Sequence, residues 1–177
     1  MDHASALNGA VVFQTARLVC RRWLPGDADA IFTVYADPTG ARWVDDGQPI
    51  AREDCDRWLN VTANNYVTRG YGMFALMSRD STRVLGFCGL VHPGGQAEAE
   101  IKYALRSSYW GRGLATEAIA GLLGYGQEHH RLAKVIATVA AENHASRRAL
   151  LKSQFRLTRE TLEDDGVIVC CYEWRAQ

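Results

Sequence analysis

Residues 110–113, with the sequence WGRG, stand directly before a strong helix pattern that they cannot cap. From Leu114 onward, the stretch LATEAIAGLLGYGQ has the apolar spacing of a helix. The start of a helix leaves about four backbone N–H groups without partners, and a Ser, Thr, Asp or Asn side chain usually accepts from one of them. No such residue stands at 110–113, so the first turn needs water or a bound anion as its acceptor.

The two glycines of this loop favour a bound anion. Gly111 and Gly113 let the backbone bend tightly and approach a ligand closely. The helix dipole adds about half a positive charge, and Arg112 adds a full one, so the loop is typical of a phosphate site. The alternative is a solvent-exposed helix start in which the glycines serve only the turn. The loop is not a Walker loop, because it lacks the GK[ST] ending, and Thr116 replaces the third glycine of the dinucleotide motif.

Composition limits the class of protein and its partners. A chain of 177 residues favours one domain, and 47% hydrophobic and 23% charged residues are ordinary for a soluble one. Twenty basic residues balance twenty acidic ones, so neither a nucleic acid nor a membrane is expected as a partner. The five cysteines contain no CxxC pair and are expected as buried free thiols in a reducing compartment. With no signal peptide and no long apolar run, the expected location is cytoplasmic.

The remaining pattern predicts a mixed α+β fold. Strands are predicted at 17–23, 71–78, 83–91, 99–105, 134–140 and 167–174, the last as one strand or a strand pair. Helices are predicted at 27–36 with Asp27 as its cap, at 52–69 with Gly70 as its stop, from 114 onward, and at 144–153. Residues 1–13 are predicted as a flexible tail and residues 14–177 as a single domain. The close strands between 71 and 105 predict an antiparallel meander, with helices on both sides of the sheet.

The glycine loop carries a resemblance to a known family. The sequence YWGRGLATEA, residues 109–118, resembles the acetyl-CoA signature R/Q-x-x-G-x-G/A of the GNAT acetyltransferase superfamily. The segments TARLVCRRWLPGDADAIF, VLGFCGL and ENHASRRALLKSQF are similar to the branch that contains the ribosomal-protein N-terminal acetyltransferases. The resemblance implies a twisted, mostly antiparallel sheet of about six to seven strands, flanked by about four helices.

The resemblance also implies acetyl-CoA as cosubstrate. No metal is expected, because no cluster of residues has the spacing of metal ligands. In the family, the pyrophosphate of coenzyme A caps the helix, and the pantetheine arm lies along the strand before the loop like an added strand. Carried over to this chain, the expected contacts are Tyr103, Ala104, Leu105, Trp110, Gly111, Arg112, Gly113, Leu114, Ala115, Thr116 and Asn143.

Two residues are candidates for catalysis by the same resemblance. The expected reaction is attack of a primary amine on the thioester, with Glu100 removing the proton of the amine and Ser146 donating to the leaving thiolate. Two alternatives remain open: Glu100 as a solvated acid at a strand end, and Ser146 as a local cap. The chain departs from many relatives at Leu150, where they have a tyrosine acid, and at Gln154, where they usually have glycine.

The acceptor is expected between the first helices and the last strands. The loop at 36–50 contains Asp37, Trp43, Asp45 and Asp46, which could attract and pack on an ammonium group or be a solvated loop. The acceptor amine belongs to a protein N-terminus or to a small molecule, and the chain is a monomer or a homodimer. A non-catalytic sensor of coenzyme A and a transferase for longer acyl chains are the alternatives.

Overall fold

A computed structural model describes residues 9–44 and 47–177 of the chain. Its strands are β1 (Val11–Gln14), β2 (Leu18–Arg22), β3 (Met73–Ser78), β4 (Val84–Val91), β5 (Ala99–Leu105), β6 (Lys134–Ala140), β7 (Arg156–Leu162) and β8 (Ile168–Arg175). Its helices are α1 (Ala28–Tyr35), α2 (Pro38–Ala41), α3 (Arg52–Arg69), α4 (Leu114–His130) and α5 (His144–Lys152). The predicted mixed α+β class is confirmed, with slightly more strands and helices than expected.

All eight strands form one sheet in the order β1-β2-β3-β4-β5-β6-β8-β7. The pairs from β1 to β5 are antiparallel, which confirms the predicted meander, and β6, β8 and β7 also pair antiparallel. Only β5 and β6 run parallel. The predicted tail is wrong for residues 11–13, because β1 adds to the edge of the sheet there, and residues 1–8 lie outside the described residues.

Helices cover the two faces of the sheet unequally. On one face, α4 and α5 pack on alternate residues of the strands from β2 to β8. On the other face, α1 and α3 pack on β3, β4 and Trp23, which follows β2. That cluster includes no buried residue of β6, β7 or β8. The second face of β6 and β8 is therefore free of helices over the described part of the chain. No helix described here has the length and apolar character needed to cross a membrane.

Local signals explain most element boundaries, with two differences. As predicted, α3 ends at Gly70, which takes the left-handed conformation at φ 82°. Asp27 does stand at the start of α1 but makes no side-chain cap, because its carboxylate accepts from the Leu24 N–H and the Arg21 guanidinium. Gln154 adopts φ 67° just after α5, so this non-glycine residue keeps a backbone conformation that favours glycine.

The parallel strands β5 and β6 separate soon after they meet. Their register contains only two pairs, Ala99 with Val135 and Glu100 with Ile136. Beyond Glu100, β5 continues for five residues that pair with β4 on one side and have no strand partner on the side of β6. The sheet therefore opens between β5 and β6, and the opening points toward the glycine loop that follows β5.

Gly86 of β4 lets β5 pack closely against β4. Gly124 of α4 is a glycine with free space around it and provides a matched control for substitution. A Cβ at Gly86 would lie 2.1 Å from the Ala104 carbonyl oxygen, whereas a Cβ at Gly124 meets nothing within 4 Å. We expect Gly86→Ala to cost about 1–3 kcal/mol of unfolding free energy by overpacking. We expect Gly124→Ala to add about 1 kcal/mol, because alanine favours a helix interior. Urea unfolding measures both, and an equal effect of the two substitutions would contradict the packing argument.

Candidate active site

The glycine loop starts α4 without a side-chain cap, as the sequence predicts. A short 3₁₀ turn at Ser107–Tyr109 follows β5, and Gly113 occupies the cap position of α4 with no side-chain hydrogen bond. Gly111 and Gly113 have φ of 72° and 75°, which side chains disfavour. The N–H groups of the first turn, at residues 114–116, therefore lack a side-chain acceptor at the positive end of the helix dipole.

Neighbouring side chains fix the loop against the strand and against α2. The Trp110 indole donates to the Leu105 carbonyl at 2.7 Å, and the Arg112 guanidinium lies over the Tyr109 ring at 5.6 Å. The Asp37 carboxylate caps α2 and accepts from the Ser107 N–H at 3.0 Å. Hydrogen bonding from Ser107 holds the pKa of Asp37 below its usual value. Asp37 thus links α2 to the start of the loop, and its carboxylate already accepts hydrogen bonds from backbone N–H groups.

The open edge of β5 offers unpaired backbone groups. Arg106 donates its N–H to the Leu85 carbonyl, and Ala104 pairs with Phe87 of β4. Because backbone groups alternate in direction along a strand, Tyr103 and Leu105 direct theirs away from β4, toward the opening. The Leu105 carbonyl is taken by Trp110, which leaves the Leu105 N–H and both groups of Tyr103. The backbone polar groups of Ala104 face β4, so its predicted backbone contact is not supported.

Glu100 is buried at the closed end of this opening. Its residue is 3% exposed, which excludes the solvated strand-end acid considered from the sequence. The Thr138 hydroxyl and the Lys102 ammonium bind Oε1, the latter at 2.6 Å, and the Gln96 amide donates to Oε2 at 3.2 Å. A buried carboxylate needs such partners, and these hold it at the last residue pair between β5 and β6.

Ser146 contacts Tyr103 across the opening. Its hydroxyl lies 2.7 Å from the Tyr103 hydroxyl, so the local cap considered from the sequence is not its main contact. The cap of α5 is Asn143, whose side-chain oxygen accepts from the Ser146 N–H at 3.1 Å. Burial raises the pKa of Tyr103 to about 12, although the bond to Ser146 opposes this shift. The phenol therefore stays protonated at neutral pH.

The other predicted positions have simpler roles. Leu150, which stands in place of a tyrosine acid, is 1% exposed and belongs to the core under α5. The Trp43 ring is covered by the Arg42 guanidinium at 4.4 Å, while Asp45 and Asp46 lie outside the described residues. Within residues 9–44 and 47–177, no group of three or more His, Cys, Asp and Glu side chains is arranged to hold a metal ion.

Comparison with known proteins decides the family. The sequence profile of the acetyltransferase (GNAT) domain matches residues 17–156, which is most of the chain and includes the loop, Glu100 and Ser146. The chain belongs to the GNAT acetyltransferase family. It is therefore an acyltransferase with the fold and the enzyme class that the glycine loop indicated.

Individual relatives agree with this assignment. The uncharacterised N-acetyltransferase YoaA of Bacillus subtilis (strain 168) is 28% identical over 147 residues, 82% of each chain. The uncharacterised N-acetyltransferase p20 of Bacillus licheniformis is 28% identical over 163 residues, 89% of this chain and 91% of that one. The fold also matches RimL, a ribosomal L7/L12 α-N-protein acetyltransferase solved with coenzyme A. The TM-score is 0.81 at 15% identity, over 94% and 98% of the two chains.

Sequence reasoning missed one part of this GNAT site, a clamp formed by Thr15, Arg17 and Glu117. Glu117 lies in the first turn of α4, and its Oε1 accepts from the Thr15 hydroxyl and the Arg17 N–H. The Arg17 guanidinium binds Oε2 at 2.7 Å and donates to the Arg112 carbonyl at 2.8 Å. Burial raises the pKa of Glu117, but these bonds outweigh it and leave the pKa below its usual value. The clamp thus neutralises an acid beside the uncapped start of α4 and ties Arg17 to the loop through the Arg112 carbonyl.

Removing the cation of the clamp should weaken anion binding. We expect Arg17→Gln to reduce acetyl-CoA affinity about five- to tenfold, or about 1–1.4 kcal/mol, because the Glu117 charge then faces the site uncompensated. The double substitution Arg17→Gln with Glu117→Gln should restore most of this affinity, since it removes both charges. Isothermal titration calorimetry with acetyl-CoA measures the affinity of the single and the double variant. A double variant as weak as the single one would show that Arg17 acts through loop shape alone.

Proposed function

We propose that this chain is an N-acetyltransferase that moves the acetyl group of acetyl-CoA to a primary amine by direct attack in a ternary complex. One observation carries the proposal. The uncapped start of α4 and the unpaired edge of β5 adjoin, and together they offer donors for an anion and for an extended amide chain. Membership of the GNAT family and the coenzyme A bound in RimL support the same ligand.

The glycine loop would hold the pyrophosphate. The first-turn N–H groups at residues 114–116 have no side-chain cap, the helix dipole favours negative charge there, and Arg112 adds a cation. The proposed loop contacts are Trp110, Gly111, Arg112, Gly113, Leu114, Ala115 and Thr116. No side chain competes for these amides, because Gly113 holds the position where a Ser or Asp would cap the helix.

The pantetheine arm would continue along β5 toward Glu100. The free groups of Tyr103 and the Leu105 N–H can pair with its amides as a neighbouring strand would. A chain that runs from the loop along this edge must stop where β5 and β6 pair, which is at Glu100 and Ile136. The thioester would thus lie beside the buried carboxylate, with the Asn143 amide near its path.

Glu100 would act on the acceptor. An α-amino group has a pKa of about 7.7–8.0 and a lysine about 10.4, so an acceptor amine arrives largely protonated. Glu100 binds an ammonium now, that of Lys102, which shows that its Oε1 can receive one. An acceptor ammonium in the same place would pass one proton to the carboxylate, and the neutral amine that results would attack the thioester carbon. The acceptor is a protein N-terminus or a small-molecule amine.

Ser146 would serve the leaving group. A thiol has a pKa of about 8.5, so the departing thiolate needs only modest help. The Ser146 hydroxyl can donate to it, and the protonated Tyr103 phenol at 2.7 Å can donate to Ser146 in turn. Tyr103 is thus a positioning residue that replaces, from a strand, the hydroxyl that Leu150 does not supply.

Substitution of Glu100 tests the proposal. We expect Glu100→Gln to lower kcat about 10²–10⁴-fold with little change in acetyl-CoA affinity, because it removes a proton acceptor and keeps the shape. Thiol release against a panel of amines, including N-terminal peptides, measures this. Glu98→Gln is the control, since Glu98 is a neighbouring acid, directly before β5, that binds Lys134 instead. Acetyl-CoA binding without thiol release for any amine would instead favour a non-catalytic sensor of coenzyme A. Faster thiol release from longer acyl-CoAs would favour a transferase for longer acyl chains.

Substitution of Tyr103 and Ser146 tests the donor pair. We expect Ser146→Ala to lower kcat about tenfold and Tyr103→Phe less, by a factor that stays constant between pH 6 and 9. The constancy follows from the Tyr103 pKa of about 12, which keeps the phenol protonated throughout. Tyr172→Phe is the control, because that buried hydroxyl binds Arg147 instead. If Tyr103→Phe matches the wild type at every pH, the phenol has no part in the reaction.

A further inference from the structure

Lys102 places a primary amine at the reacting end of the site. It lies two residues after Glu100 on the same face of β5, and its Nζ is 2.6 Å from Glu100 Oε1 and 3.4 Å from Thr138 Oγ1. Its side chain is 39% exposed, whereas that of Glu100 is 4% exposed. The ammonium therefore reaches a buried carboxylate from an accessible surface.

The position of this ammonium is the one that an acceptor would need. If Glu100 takes the proton of the acceptor, the attacking nitrogen must lie within hydrogen-bond reach of Glu100, at about 2.6–3.2 Å. Lys102 Nζ satisfies that condition. Its side chain is 39% exposed, so solvent reaches the ammonium beside the end of the β5–β6 pairing.

We propose that Lys102 is an acetylation site of the protein itself, modified from acetyl-CoA in its own active site; this rests on the proposed function. Glu100 accepts a proton from the Lys102 ammonium, and the Nζ lone pair attacks the thioester carbon. The N–C bond forms and the C–S bond breaks, so the thiolate leaves with the electron pair. The proton on Glu100 passes to solvent. Ser146 gives its hydroxyl proton to the thiolate and is reprotonated by the second proton, which the nitrogen loses as the amide forms. The products are Nε-acetyl-Lys102 and free coenzyme A.

The other two lysines of the chain serve as internal controls for Lys102. Lys134 also binds carboxylates, Glu98 at 3.3 Å and Glu173 at 3.0 Å, and its side chain is 32% exposed. It stands at the start of β6, on the closed side of the β5–β6 pairing. Lys152 is exposed at the end of α5. Simple chemical reactivity would favour the unpaired, exposed Lys152, whereas the proposed reaction favours Lys102.

The test is to incubate the full chain with ¹³C-acetyl-CoA without an acceptor and to map the label on the three lysines by peptide mass spectrometry. We expect Lys102 to be labelled at least about tenfold faster than Lys134 and Lys152. The rate per molecule should not change with protein concentration, because the amine is part of the same chain. In Glu100→Gln, labelling of Lys102 should fall to the level of the other two. The unfolding temperature and acetyl-CoA binding of that variant show that it is folded.

The outcomes separate this proposal from the proposed function. Equal labelling of the three lysines, or labelling led by Lys152, overturns it. Turnover of an added amine while Lys102 stays unlabelled also overturns it and leaves the acetyltransferase function intact. Absence of thiol release with every amine, together with an unlabelled Lys102, overturns both.

Discussion

The separation of β5 from β6 after two residue pairs is the constraint on which the site depends. Parallel strands normally pair along their length, and here the pairing ends at Glu100. The separation leaves Tyr103 and Leu105 with free backbone groups in the middle of a sheet, where such groups are otherwise satisfied. It also aims this edge at the start of α4, so the uncapped helix start and the unpaired edge adjoin.

Charges in and around this surface are compensated in pairs. Glu100 is buried against Lys102 and Thr138, and Glu117 is neutralised by Arg17 beside the uncapped start of α4. Unpaired, either carboxylate would be costly or would repel the ligand. The formal net charge of the chain is zero, yet positive charge remains locally at Arg112 and at the start of α4.

The sequence predicts what depends on local rules. The boundaries of α3 and β6 and the uncapped start of α4 follow from apolar period, turn residues and capping chemistry. It does not predict β1, the Arg17–Glu117 clamp or the meeting of Tyr103 with Ser146. Each of these joins residues far apart in the chain through pairing or side-chain contact, and no local pattern encodes such contacts. Gln154 shows the converse, since the fold imposes a left-handed conformation that its residue type disfavours.

The short joint between β5 and β6 also has a mechanical meaning. A meander of five strands and a group of three strands are bonded in the sheet through two residue pairs, assisted by the Tyr103–Ser146 contact and by α4. Proteins open locally in cooperative units, and a seam this short is a natural boundary between two of them. A ligand lying in the opening would bridge both units. In its absence, amide hydrogens of β6 and β8 would exchange with solvent sooner than those of β3 and β4.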